Sequence, residues 1–276
     1  MELSKKFYHS MKKLLFTFTI LSPLTVVLSQ LNCNSYNDAP CKEACKLVNL
    51  AEPYQGFKDS QKMLDMAIKL CPNMDYAYRE KSVPYLKRGD FITWKKLIDK
   101  AVEINPKNNL GYRGWCKYQF LRDYKGALTD LKKLKNMMND IGFSQNGDYN
   151  LEIVIGLCYK ALDQKSKAIE LIEKQLSKKE YVPLNHDYIH LGVLYLEVGN
   201  REKAIKCFNK EIEISDYYAE TYYYLAMAYK EKNKELYTQN LIKAKEFYLK
   251  DFRMKDPYTH PMDAIYLQQI IEELKK

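Results

Sequence analysis

The chain has 276 residues, with 44 lysines and arginines against 35 aspartates and glutamates, a formal net charge of +9. Apolar residues make up 46% of it and tyrosine occurs 24 times, which excludes an intrinsically disordered chain and calls for a packed body. The basic excess is spread along the chain rather than gathered in an arginine-rich block, which excludes a nucleic-acid-binding footprint.

The N-terminal stretch MKKLLFTFTILSPLTVVLSQ begins with Lys12 and Lys13, continues uncharged from Leu14 to Leu28, and places Val27 and Ser29 at the −3 and −1 positions before Gln30. That order predicts a signal peptide over residues 1–29, cleaved between Ser29 and Gln30, with Met11 as a second candidate start. A membrane anchor is the other reading, but the run is shorter than the ~20 residues a span needs and contains Pro23. Without the leader 40 basic and 34 acidic side chains remain, a net +6. No later stretch is apolar enough to span a bilayer, so a secreted or periplasmic chain without a membrane span is expected. Lipidation would use Cys33, but Asn32 stands before it where a small residue is usual.

Residues 30–40 read as a linker, after which the same large residues recur. Tyr188, Leu191, Gly192 and Tyr195 are followed by Ala204 and Phe208; 34 residues after the first set come Tyr222, Leu225 and Tyr229. Pro72 and Pro106 are also 34 residues apart, with Tyr78, Tyr85, Arg88 to Phe91 (RGDF) and Ala101 between them. Gly114, Trp115 and Asp123 to Ala127 (DYKGA) mark another unit, and Gly156, Tyr159 and Ala168 the next. Gln55 to Phe57, Ala67 and Pro72 suggest a weaker first one. Packing explains the period. Each unit predicts two helices of about 12 to 14 residues, with apolar positions at helical spacing. Gly192 and Ala204 are small enough for the two helices to approach closely, and Gly199–Asn200 and Gly89–Asp90 end one helix and cap the other. A lone hairpin cannot cover its apolar face, so the next must.

This pattern resembles the tetratricopeptide repeat family, with tyrosine in the usual tryptophan place. The resemblance implies an all-α solenoid of five to six helical hairpins, over residues 41–74, 75–108, 109–140, 149–184, 185–218 and 219–252. A capping helix over 257–276, with a polar outer face from Asp263 to Lys276, would end the stack. It implies a non-enzymatic scaffold that binds a protein or peptide on the concave face of the first helices, with no cofactor and no small-molecule substrate. The second reading is an envelope-assembly component like the tetratricopeptide lipoproteins of outer-membrane protein assembly, against which the poor lipidation site counts.

Counted from the repeat phase, the concave positions are Tyr76, Arg79, Arg113, Lys117, Lys160, Ile189, Tyr223, Met227 and Lys230. Their mixture of basic and apolar groups suits an extended peptide carrying acidic residues. Lys117 stands where carboxylate-clamp members of the family have asparagine, so recognition of chaperone C-termini is not implied. Reversing Arg79, Arg113 and Lys117 to glutamate is expected to abolish partner capture and leave melting nearly unchanged.

Ala127 and Ala168 lie 41 residues apart, seven more than one repeat, and the surplus falls in Asp140 to Asn150, read as a surface insertion. His186 and His190 share a helix face, but Asp187 replaces the glutamate of zinc proteases and a third ligand is missing, so no metal site is assigned. Cys116, Cys158 and Cys207 are expected as buried thiols. Cys33, Cys41, Cys45 and Cys71 suggest a disulfide framework with three possible connectivities; metal binding is disfavoured because no pair has zinc-finger spacing. In an antiparallel hairpin Cys71 comes back to the start of the first helix, where Cys41 and Cys45 stand, so one bridge is expected there.

Overall fold

The computed structural model describes residues 31–276; the predicted leader and its cleavage site lie outside them. The described residues contain helices and no strand beyond one isolated bridge, Phe143 to Asn150. Six antiparallel hairpins follow in chain order: α1 (Ala39–Ala51) with α2 (Lys58–Leu70), α3 (Asp75–Lys87) with α4 (Phe91–Ile104), α5 (Pro106–Cys116) with α6 (Tyr124–Lys135), α7 (Leu151–Ala161) with α8 (Lys165–Leu176), α9 (Asp187–Glu197) with α10 (Arg201–Ile214), and α11 (Ala219–Tyr229) with α12 (Lys234–Leu249). A last helix, α13 (Leu267–Leu274), packs on the sixth hairpin.

Local chemistry sets the turns. Gly89 and Gly199 sit in the left-handed region, at φ 81° and 79°, where a Cβ would be strained. The next residue starts the second helix: Asp90 accepts from the Thr93 N–H at 3.0 Å and Asn200 from the Lys203 N–H at 3.1 Å. Between the two helices contact is close. A Cβ on Gly192 would lie 2.4 Å from the Phe208 ring, and one on Gly156 would lie 2.6 Å from Ile172. Phe208 is fully buried there, worth about 1.5–3 kcal/mol of apolar transfer. One core cluster runs from Leu86 to Met254, through hairpins two to six, and hairpin one has its own.

Three segments differ from the sequence reading. The N-terminal stretch is not a free linker: Leu31 exchanges two hydrogen bonds of 3.0 Å with the Asn49 amide, and Cys33 is bonded to Cys45. The second bridge joins Cys41 to Cys71 with Cα atoms 4.9 Å apart, so the start of α1 is tied to the end of α2. The Asp140 to Asn150 stretch is not merely a surface insertion. Tyr149 is buried, 5.0 Å from the Trp115 ring and 5.8 Å from the His190 ring, so the loop folds inward over the first helices. The third difference is the C-terminal one. Residues 252–266 carry no helix, and helix resumes only at Leu267. Pro257 and Pro261 lack the N–H a helix needs, and Asp263 is drawn into a buried ion pair instead.

Cys116, Cys158 and Cys207 are buried free thiols, and burial pushes each up, the last two to about 12.

Candidate functional site

The first helices α3, α5, α7, α9 and α11 form the floor of the concave face. Over α7, α9 and α11 the chain itself covers that floor. Asp263 reaches Lys160 of α7 at 2.5 Å and His190 Nδ1 of α9 at 2.7 Å, and its carbonyl accepts from the Tyr224 hydroxyl of α11 at 3.0 Å. Burial alone would raise the Asp263 carboxyl, but the Lys160 charge and the His190 hydrogen bond outweigh it and hold the group below the usual carboxylate range. Farther along, Thr259 accepts from the Gln119 amide at 2.7 Å, and Tyr258 lies 6.2 Å from the Phe120 ring.

Glu220, fully buried at the start of α11, holds both ends of this segment. It accepts from the Met254 N–H at 3.0 Å and the Ile265 N–H at 3.4 Å. Burial pushes its carboxyl up to about 7. A folded pKa raised above the unfolded one favours the native state fully below the ordinary carboxylate range, and that contribution is lost as pH rises through about 7. Glu220→Gln removes the charge but replaces one of the two accepting oxygens with an amide NH2 that faces a backbone N–H. It is expected to be destabilising by roughly 1–3 kcal/mol at about pH 4, and less so at about pH 8.5, where the parent itself carries the buried charge. A destabilisation in urea unfolding that does not shrink between the two pH values would contradict this.

The nine residues expected to share one face are divided among several environments. Tyr76 and Arg79 stay together, the guanidinium 4.5 Å over the ring, with Arg79 3.2 Å from Glu80 and the Tyr76 hydroxyl donating to Glu52 at 2.8 Å. Arg113 and Lys117 instead turn toward the second helices: both engage Asp130 of α6, at 2.6 and 2.7 Å, and Arg113 also reaches Asp99 of α4 at 2.8 Å. Lys160 is on the concave floor but paired with Asp263 and, at 3.2 Å, Glu197. Ile189 is fully buried in the core, so it offers no surface to a partner. Tyr223 and Met227 pack in the cluster that α13 completes through Ile270, and Lys230 pairs with Glu273 of α13. Their division has one cause. Repeat phase gives the direction in which a residue leaves its helix, not what the rest of the chain brings to meet it.

Over α3 and α5 the concave face stays open as a cleft of about 430 Å³. Arg79, Glu80, Val83, Lys87, Tyr112 and Phe120 line it, with Asn146 and Tyr258 at its far side. Glu80 is buried, accepts from Arg79, and burial raises its carboxyl. Of these residues only Arg79 was legible from the repeat phase; Val83, four places on, shares its helix face.

The two histidines of HDYIH take separate partners: His190 the Asp263 carboxylate, and His186 the Tyr218 ring, edge-on at 4.5 Å. Burial, then the His190 charge, hold the His186 imidazole down at about 3. Among the described residues no group of three His, Cys, Asp or Glu side chains is placed to hold a metal ion.

A tetratricopeptide-repeat family model matches residues 188–217, the α9–α10 hairpin. The chain is a tetratricopeptide-repeat protein. Over 67 residues, 24% of its length, it is 42% identical to a TPR repeat-containing protein of Methanocaldococcus jannaschii, of which that stretch covers 18%. It is 23% identical over 171 residues to the anaphase-promoting complex subunit CDC16 of Saccharomyces cerevisiae, covering 61% of this chain and 15% of that one. The repeat protein thus spans less than a fifth of the length of these two relatives. Among solved structures it superposes on PilW, a type IV pilus biogenesis factor, with a TM-score of 0.64 at 14% identity over 83% of this chain and 98% of that one. PilF of Pseudomonas aeruginosa gives 0.61, also at 14%, over 77% and 95%. At such identities the likeness is one of fold. Folds of this kind commonly mediate protein–protein interaction, and scaffolds built on them are generally not enzymes.

Proposed function

We propose that the protein is an exported interaction scaffold that takes a protein or peptide partner into the open cleft over α3 and α5. The observation that carries this reading is the contrast along the concave face. From α7 onward the chain's own residues 259–266 and α13 lie directly on it, whereas over α3 and α5 the segment stands off, so that Lys255 to Tyr258 form the opposite wall of a cleft in which Val83, Tyr112 and Phe120 remain beside Arg79 and Lys87. An apolar floor with a few charged groups is the usual make-up of a recognition groove. Export is supported by the signal-like sequence before Gln30 and by four cysteines paired into two bridges, which persist in oxidising compartments.

Val83→Asp with Lys87→Glu changes the cleft without touching a buried ion pair. In capture from envelope extract, with the disulfide-bonded protein as bait, the pair is expected to weaken retention of a bound partner by roughly tenfold or more, with helicity and melting temperature held. Lys206→Glu with Lys210→Glu, exposed positions on α10, is the control and should retain it. Retention that survives the cleft change and falls with the α10 change would move the binding surface to the convex side.

A further inference from the structure

Residues 252–266 run along hairpins two to six, and their C-terminal half lies against hairpins four to six as a bound peptide lies in a receptor. Their backbone is non-helical, and three successive first helices contact one residue, Asp263, through Lys160, His190 and Tyr224. At each end Glu220 takes a backbone N–H, of Met254 and of Ile265, and the side chains of these two residues are buried as apolar anchors. Between the anchors Lys255, Pro257 and Tyr258 are exposed. The floor also keeps a partner when the carboxylate is withdrawn, because Lys160 Nζ lies 3.2 Å from Glu197. A buried cation with a second carboxylate at hand is a receptor group that tolerates an empty site.

We infer that the concave surface of hairpins four to six is a peptide-receiving site for an extended, proline-containing segment that presents one carboxylate to Lys160 and His190, and that residues 252–266 hold it in cis. This site shares a wall with the cleft over α3 and α5, because Lys255 to Tyr258 line both; Val83→Asp with Lys87→Glu alters the cleft and leaves the Lys160 and His190 floor intact, which separates the two readings. A tethered occupant acts at an effective concentration on the order of millimolar, so an external segment enters only when the hold of Asp263 is weakened or outmatched.

The test uses the full disulfide-bonded chain, its Asp263→Ala variant, and a fluorescent synthetic peptide of residues 252–266, with and without an Asp263→Asn change. The parent protein is expected to show no saturable binding up to roughly 100 µM, because the tethered copy competes at far higher effective concentration. The Asp263→Ala protein should bind the native peptide, and the Asn peptide roughly tenfold or more weakly, the loss expected for a charge-assisted contact. Hydrogen exchange of the Met254 and Ile265 amides gives a second reading on the parent. They should exchange roughly tenfold or more faster than the Val193 and Leu194 amides of α9, and Asp263→Ala should accelerate them alone. If the variant takes no peptide, if those two amides exchange only at the α9 rate, or if Asp263→Ala abolishes cooperative folding, the segment is a permanent part of the core and the inference is overturned.

Discussion

Asp130→Ala is expected to lower the unfolding free energy by about 3–5 kcal/mol, the usual loss when one partner of a buried charge cluster is removed. Asp130 is buried and takes two hydrogen bonds from the Arg113 guanidinium, at 2.6 and 2.8 Å, while Lys117 approaches at 2.7 Å. Alanine there leaves two cations facing each other, with Asp99 near only one of them. Chemical denaturation measures the effect, and the comparison that isolates it is Asp130→Leu combined with Arg113→Met and Lys117→Met. That all-apolar set should be markedly less destabilised than Asp130→Ala, because no charge is stranded. An Asp130→Ala midpoint close to the parent's would mean that the cluster is already hydrated. The same geometry revises an expectation from the repeat phase: reversing Arg113 and Lys117 to glutamate sets negative charge against Asp130, so melting falls together with any loss of capture.

Cys71→Ser has the second large effect. The Cys41–Cys71 bridge closes a loop of 30 residues, whose denatured-state restriction corresponds to roughly 3–4 kcal/mol. It fastens the start of α1 to the end of α2 in a terminal hairpin that is stacked on one neighbour only and has a separate core. Loss of the bridge should therefore show as early unfolding of residues 31–71, with α7 to α12 retaining their protection. Thermal melts with and without reductant, read alongside hydrogen exchange, check this. A parent protein whose melting is indifferent to reductant would refute it.

The parts that were legible in the sequence are those fixed within one hairpin. Gly192 facing Phe208, Gly199 followed by Asn200, and the terminal cysteine cluster all act within a few tens of residues, so a 34-residue period exposes them. The site was less legible because its contacts join distant positions. Asp263 meets His190 across 73 residues and Lys160 across 103, and nothing local distinguishes it from any other carboxylate on a polar terminal stretch. Tyr149 was hidden differently. Its loop is rich in Gly, Asn and Ser, which reads as solvent-exposed, and one buried aromatic in such a run leaves no periodic trace.

A stack of hairpins joined only to their neighbours behaves mechanically as a coil spring, free to open, tighten or fray from either end. The hydrogen bond from Gln119 to Thr259 spans 140 residues and runs from the third hairpin to the chain beyond the sixth, as a chord runs across a bow. Together with the Asp263 contacts it opposes stretching of that half along the axis. Closing so long a loop is slow relative to making a hairpin, so the final bend of the solenoid is acquired late, after its hairpins have formed. The first hairpin lies outside the chord and keeps the compliance of an ordinary repeat array, and the second meets it where Lys87 stands 5.3 Å over the Tyr258 ring.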